Sequence, residues 1–301
     1  MQQNEPIKNK KPVILIVGAS GMLGNAMFRC LSAYPEFRVF GTIRSTTNKF
    51  FFADALWPSL ISGIEAENLD TMAGLLAEMR PTVVVNCVGV VKQLASSNDP
   101  LVAIPINSLL PHRLARLSQL CGSRFVHFST DCVFDGIKGG YHETDIPNAT
   151  DLYGRSKLLG EVLSPGAVTL RTSIIGKELN SCHGLIGWFL SQSGPIRGYS
   201  RAIFSGLPTI ELARVVGEYV IKRPELSGIF NVASRPISKF DLLKLVGEIY
   251  GKSIEIVSDE SLVIDRSLDA SRFNSMTGYE PPAWERLVRD MLDDFEGARD
   301  D

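Results

Sequence analysis

Two stretches hold the residues best suited to chemistry, "STDCVFDG" at 129–136 and "DLYGRSKLLGE" at 151–161. In the second, Tyr153 stands four residues before Lys157, a spacing that puts both side chains on one face of a helix. A free phenol titrates at about 10 and exchanges its proton slowly at neutral pH. An ammonium beneath it lowers that value, so the pair reads as a general acid, Tyr153, tuned by Lys157. Thr130 closes an apolar strand-like run and can hydrogen-bond the same substrate oxygen. Its neighbour Ser129 points to the opposite face of the strand, so only one of the two should reach the site. A half-buried Tyr and a surface Lys on an ordinary helix would look the same, so the pair gains weight only from what surrounds it.

The surrounding pattern is an alternation of short apolar runs and helical stretches. The runs "PVILIVG" (12–18), "RVFGTI" (38–43), "TVVVNCVG" (82–89) and "RFVHFST" (124–130) read as buried parallel strands. "GMLGNAMFRCLSAY", "LDTMAGLLAEMR" and "NSLLPHRLARLSQLCG" read as helices between them. "YGRSKLLGEVL" and "TIELARVVGEYVIKR" continue as helices, "AVTLRTS" and "GIFNVAS" as strands. This predicts an α/β fold, a doubly wound parallel sheet of Rossmann type. Residues 12–175 with 207–235 form the dinucleotide-binding domain in this reading. Residues 176–206 with 236–301 form a smaller substrate-binding lobe, and 1–11 a flexible tail.

"VGASGMLG" places Gly18, Gly21 and Gly24 between the first strand and its helix. Glycines there allow a tight turn and close approach of backbone N–H groups to a diphosphate at the helix N-terminus. Ser20, Met22 and Leu23 complete that cofactor-binding turn. Arg44, after the second strand, stands where an Arg accommodates the 2′-phosphate of NADP, and no carboxylate is there to bind the ribose of NAD. NADP(H) is therefore favoured, with NAD(H) still open. Cys87, Val88 and Gly89 end the third strand, where Gly89 lets the chain pass close to a cofactor or simply packs well.

By these residues the chain resembles an extended short-chain dehydrogenase/reductase. Within that class "STDCVFDG", "YGRSK" and "LRTS" most resemble the dTDP-4-dehydrorhamnose reductase family of nucleotide-sugar reductases, over roughly residues 12–235. The resemblance implies Thr130, Tyr153 and Lys157 as the catalytic set. It gives Asn107 the place of the helix Asn that helps water reach the Lys, although a helix-capping Asn is an equal reading. It implies a nucleotide-sugar substrate held by Thr130, Asp131, Cys132 and Tyr153, with Lys92, Arg197 and Arg201 as candidates for its diphosphate. Related dehydratases carry Thr-Asp-Glu where this chain has Thr130-Asp131-Cys132, and a thiol cannot replace that acid. Reduction of a 4-keto-6-deoxy nucleotide sugar is thus the favoured reaction. The alternatives are an epimerase of the same fold and a non-catalytic NADP-binding regulatory subunit. "VVNCVGVVKQ" departs from the Ala- and Asp-rich loop of the rhamnose reductases, which leaves the sugar open.

The totals fit this reading. In 301 residues, 45% apolar, there is material for a large core and a second lobe. The formal charge of −2, from 31 basic and 33 acidic side chains, gives no cause to expect nucleic acid or an anionic membrane as partner. Five cysteines without a C-x-x-C pair read as reduced thiols of a cytoplasmic protein. The four histidines, His112, His127, His142 and His183, lack ligand spacing, so no metal is expected. A homodimer is compatible with all of this.

Overall fold

The computed structural model describes residues 11–179, 182 and 184–297. All but Lys11 of the expected tail, and His183, lie outside these.

A seven-stranded, wholly parallel sheet organises the chain. Its first part runs β1 (Val13–Val17), α1 (Met22–Ser32), β2 (Arg38–Ile43), β3 (Leu60–Ser62), α2 (Leu69–Met79) and β4 (Val83–Asn86). Then come α3 (Pro100–Ala103), a π turn (Ile104–Leu109), α4 (Leu110–Leu120), β5 (Arg124–Thr130), α5 (Leu152–Leu159) and β6 (Ala167–Thr172). Beyond these are β7 (Ile174–Ile175), α6 (Leu185–Ser191), β8 (Ile196–Tyr199), β9 (Ala202–Phe204), β10 (Leu207–Pro208), α7 (Thr209–Val215) and β11 (Gly228–Asn231). The chain closes with β12 (Ile237–Ser238), α8 (Lys239–Ile249), β13 (Ile256–Asp259), β14 (Ile264–Asp265), α9 (Ser271–Thr277) and α10 (Trp284–Gly297). The main sheet has the order β11-β6-β5-β4-β1-β2-β3. Its direction of winding reverses between β1 and β4, and in open α/β sheets the ligand crevice opens there, outside the carboxyl ends of the strands.

Alternation along each strand builds both faces. Ile14 and Ile16 of β1 join Met27, Phe28 and Leu212 in one core, while Leu15 and Val17 meet Met72, Leu76 and Leu114 in the other. Each such large side chain contributes about 1.5–3 kcal/mol when fully buried. The first core continues without a break into Phe189, Leu242 and Val246. Residues 196–204, 237–238 and 256–265 supply the short sheets β12-β9-β14 and β13-β8 above the crevice. A bidentate ion pair from Arg29 of α1 to Asp294, at 2.7 and 2.9 Å, ties α10 to the main layer.

Three local departures from the sequence pattern have physical causes. β4 stops at Asn86 rather than running to 89, because the Asn86 Oδ1 accepts the Val88 N–H at 3.0 Å and turns the chain out of the sheet. The helix before β5 starts at Pro100 and widens into a π turn. Pro105 and Pro111 have no N–H for the carbonyls four residues back, so the regular ladder is interrupted on both sides of Asn107. β3, three residues long at the sheet edge, lacks the apolar run that marks a buried strand.

The glycine turn is dictated by contact. Gly18 has φ +86°, and a Cβ on Gly24 would lie 2.1 Å from the Gly18 carbonyl oxygen. Thr42 holds the same turn from β2, its Oγ1 accepting the Gly18 N–H at 3.0 Å and its carbonyl the Ala19 N–H at 2.9 Å. Gly24→Ala should therefore lower the unfolding free energy by about 1–3 kcal/mol or more. Gly74→Ala in α2, where a Cβ meets nothing within 4 Å, should raise it by up to about 1 kcal/mol. Urea titration of the two variants reads the contrast, and equal midpoints would contradict it.

Candidate active site

The carboxyl ends of β4, β5 and β6 open into a cavity of about 380 Å³, roofed by β9, β14 and the first residues of α6 and α8. Met22 and Leu23 of α1 reach it, as do Cys87, Val88 and Gly89, and Thr130, Asp131, Cys132, Tyr153 and Lys157. Gly21 is the N-cap of α1 and no side chain caps its first turn, so the N–H groups there are free to meet an anion.

Ser129 and Thr130 divide as strand alternation requires. The Ser129 hydroxyl turns away to Glu161 Oε1 at 2.7 Å. The Thr130 hydroxyl stays at the cavity, donating to Asp131 Oδ1 at 3.0 Å and accepting the Cys132 N–H at 3.2 Å. Asp151 caps α5 by accepting the Gly154 N–H at 2.7 Å, and so sets the turn that presents Tyr153.

Lys157 is buried, and its Nζ donates to the Phe128 carbonyl at 2.6 Å. Burial lowers its pKa to about 8, against the pull of Glu161, which favours the charge. Tyr153 departs from expectation. Its phenol is pushed above the ordinary value, first by burial and then by Cys132 and the carboxylates of Asp131 and Asp151, while a hydrogen bond with Thr130 opposes the shift. Lys157, directed at Phe128, does not bring it down. Burial also raises the Asp131 carboxyl, and it lifts the Cys132 thiol to about 12.

Asn107 is not a helix cap. It sits buried in the π turn, where its Oδ1 accepts the Val90 N–H at 2.9 Å and its Nδ2 donates to the Val90 carbonyl and to Ser156 Oγ, each at 3.2 Å. The loop after β4 is thus pinned at Val88 by Asn86 and at Val90 by Asn107, with Gly89 between. A Cβ on Gly89 would lie 3.4 Å from Asn107 Oδ1 and 3.9 Å from Lys157 Nζ. The glycine keeps open the space in front of the ammonium.

The cation candidates divide. Lys92 lines the cavity, paired with Asp151 at 2.7 Å. Arg197 and Arg201 do not line it. Alternation along β8 turns Arg197 outward, 81% exposed and 3.5 Å from Asp259, and Arg201 is exposed in the turn before β9. Lys239 at the start of α8 and Arg266 after β14 stand at the cavity instead. Arg266 is braced by its Nε, which donates to the Phe134 carbonyl at 2.8 Å. Neither "ISKF" nor "IDRS" carries a motif that would have marked them. Of the cofactor candidates outside the cavity, Gly18 and Ser20 form the turn, Gly21 is exposed at its tip, Gly24 packs beneath it, and Arg44 is exposed after β2.

A parallel sheet reversed at β1 and β4, with a glycine turn on one side of the crevice and Thr130, Tyr153 and Lys157 on the other, belongs to the extended short-chain dehydrogenases/reductases. Within that class residues 12–193 match the family described as RmlD substrate binding domain, and the chain belongs to this dTDP-4-dehydrorhamnose reductase family. It is 28% identical over 271 residues to a probable low-salt glycan biosynthesis reductase, Agl14, of Haloferax volcanii, covering 85% of this chain and 86% of the relative. It is 26% identical over 310 residues to dTDP-4-dehydrorhamnose reductase of Aggregatibacter actinomycetemcomitans, covering 92% and 97%. Methionine adenosyltransferase 2 subunit beta of Bos taurus is 29% identical over 183 residues, 60% of this chain and 51% of that protein. Among solved structures, dTDP-4-dehydrorhamnose reductase from Bacillus anthracis in complex with NADP shares the fold, with TM-score 0.77 at 21% identity over 94% of this chain and 99% of that one. Among the described residues no helix is long and apolar enough to cross a membrane.

Asn107→Ala removes both bonds to Val90 and leaves buried backbone groups unpaired, at a cost of about 1–3 kcal/mol each. The variant should stay folded but lose hydrogen-exchange protection at Val90 first. Unchanged protection there would show that the clamp is dispensable.

Proposed function

We propose that the protein uses NADPH to reduce the keto group of a nucleotide-linked 4-keto-6-deoxysugar. The observation that carries this is the convergence of Thr130, Tyr153 and Lys157 on one cavity that also presents Lys239 and Arg266. The uncapped start of α1 suits a diphosphate, and the space a Cβ on Gly89 would fill suits the approach of a flat ring. Gly18, Ser20, Gly21, Met22, Leu23 and Gly24 would hold the cofactor diphosphate and Arg44 the 2′-phosphate. Cys87, Val88 and Gly89 would flank the nicotinamide, and Lys157 the ribose beside it. When bound, the cofactor supplies a hydride to the keto carbon.

The protein's own groups manage the oxygen. As the carbonyl π electrons move onto oxygen, the Thr130 hydroxyl turns its one proton from Asp131 to that oxygen and Tyr153 transfers its proton, giving the alcohol and a phenolate. Burial keeps the phenol protonated through neutral pH, so the acid is in its working form before reaction. Lys157, one helical turn on and lining the same cavity, would meet the new phenolate, and Asn107 fixes the loop that faces it. Lys239 and Arg266 would meet the substrate diphosphate, in place of Arg197 and Arg201. The likeness to methionine adenosyltransferase 2 subunit beta supports a second reading, a cofactor-binding subunit without turnover. An NADPH-consumption assay over a panel of 4-keto sugar nucleotides separates the two.

Tyr153→Phe removes one oxygen and should cut turnover on the best substrate by at least about 10²-fold while cofactor affinity stays within tenfold. Wild-type rates in this variant would remove Tyr153 from the acid's role. Arg44→Ala should narrow a preference for NADPH over NADH, and equal affinities in the wild type would contradict the assignment of Arg44. The sign of the pH dependence follows from Lys157. Its pKa is depressed, so its charge is present at low pH and lost as pH rises through about 8. NADPH affinity, followed by fluorescence titration, should decline above that pH and should be flat in Lys157→Met.

A further inference from the structure

A buried ion pair lies directly behind the site. Glu161, just past the end of α5, accepts from Arg171 Nε at 2.7 Å and Nη2 at 2.8 Å, and from the Ser129 hydroxyl at 2.7 Å. Both side chains are nearly closed to solvent, at 5% and 4% exposure, so this pair is screened little by water or salt. Arg171 in turn lies over the Phe134 ring, 5.3 Å from its centroid, and Phe134 accepts from Arg266 through its carbonyl.

The arrangement is more than a structural staple, because Glu161 follows Lys157 by four residues and is the carboxylate that favours the Lys157 charge. Lys157 has few other compensating neighbours. From β5 it faces His127, which burial keeps neutral, and the Phe128 carbonyl. The π turn contributes the uncharged Asn107 near it, and the half-buried Cys87, whose thiol desolvation keeps protonated, lines the same cavity. Tyr153, one turn back on its own helix, is held as the neutral phenol.

We infer that Glu161 is a positioning residue for the reaction, holding the Lys157 ammonium in its charged form and, through Ser129, turning the end of β5 so that Thr130 faces the substrate. Arg171 aims the carboxylate through two hydrogen bonds. This rests on the reductase reading for its role in turnover, but not for its effect on Lys157.

The test is a pH titration of Lys157 by NMR in protein labelled with ¹³C at the lysine Cε, the resonance being identified by its loss in Lys157→Met. Glu161→Gln keeps the shape and the acceptor oxygen but removes the charge, and the Lys157 midpoint should fall by about one unit or more, a tenfold change in its ionisation. Because Glu161→Gln leaves Arg171 buried without a counter-charge, Glu161→Gln/Arg171→Gln serves as a second variant and should show the same downward shift. Ser129→Ala should leave the midpoint in place while lowering kcat, since it loses only the orientation of Thr130. A midpoint unchanged in both Glu161 variants, with only thermal stability reduced, overturns the inference. A shifted midpoint in a protein that reduces no 4-keto sugar nucleotide supports Glu161's effect on Lys157 and overturns the reductase reading instead.

Discussion

Lys157 is a buried ammonium, held by the Phe128 carbonyl at 2.6 Å. A buried charge is costly unless its surroundings compensate. Much of the local architecture around the crevice serves that compensation. α5 ends at Leu159, and its C-cap Gly160 lies against the Asn107 carbonyl, where a Cβ would stand 1.9 Å away, so only glycine fits there. That approach needs the helix before β5 to swell at the π turn. The swelling in turn follows from two prolines and brings the Asn107 side chain to Val90. The loop so pinned carries Gly89 past the ammonium without filling the space in front of it.

The same geometry separates two protonation tasks that the sequence pattern runs together. Tyr-x-x-x-Lys suggests an ammonium that lowers a phenol's pKa, yet burial raises the phenol and Lys157 is turned to the strand beneath. The phenol is thereby stored as an acid, and the cation stands ready for the charge that appears when the proton leaves. Desolvation sets the resting state, and Coulomb attraction acts only once a phenolate exists. Such a division suits reduction, in which the group must give a proton rather than take one.

How much was legible follows from which forces act locally. The parallel strands could be read because burial on both faces makes them continuous apolar runs, and the glycine turn because close backbone contact admits no side chain. Alternation says that only one of Ser129 and Thr130 faces the cavity, and the family resemblance is what points to Thr130. β3 was not legible, being a three-residue edge strand held by its pairing with β2. Arg197 and Arg201 stand away from the cavity, the first because alternation along β8 turns it outward and the second because it lies in the turn before β9, and charge alone foretells neither. Lys239 and Arg266 reach the cavity only through the packing of α8 and β14 over it, a long-range fact with no local signature. The direction of the Tyr153 shift was hidden for the same reason, since burial is set by distant elements.

The most direct test of reduction is the fate of the hydride. NADPH carrying deuterium at the transferring position of its nicotinamide, incubated with the protein and a 4-keto-6-deoxy nucleotide sugar, should give a product with deuterium on the new carbinol carbon, seen by NMR. Label that stays in the cofactor, across a panel of such sugars and with the protein shown to bind NADPH, would contradict the proposed chemistry.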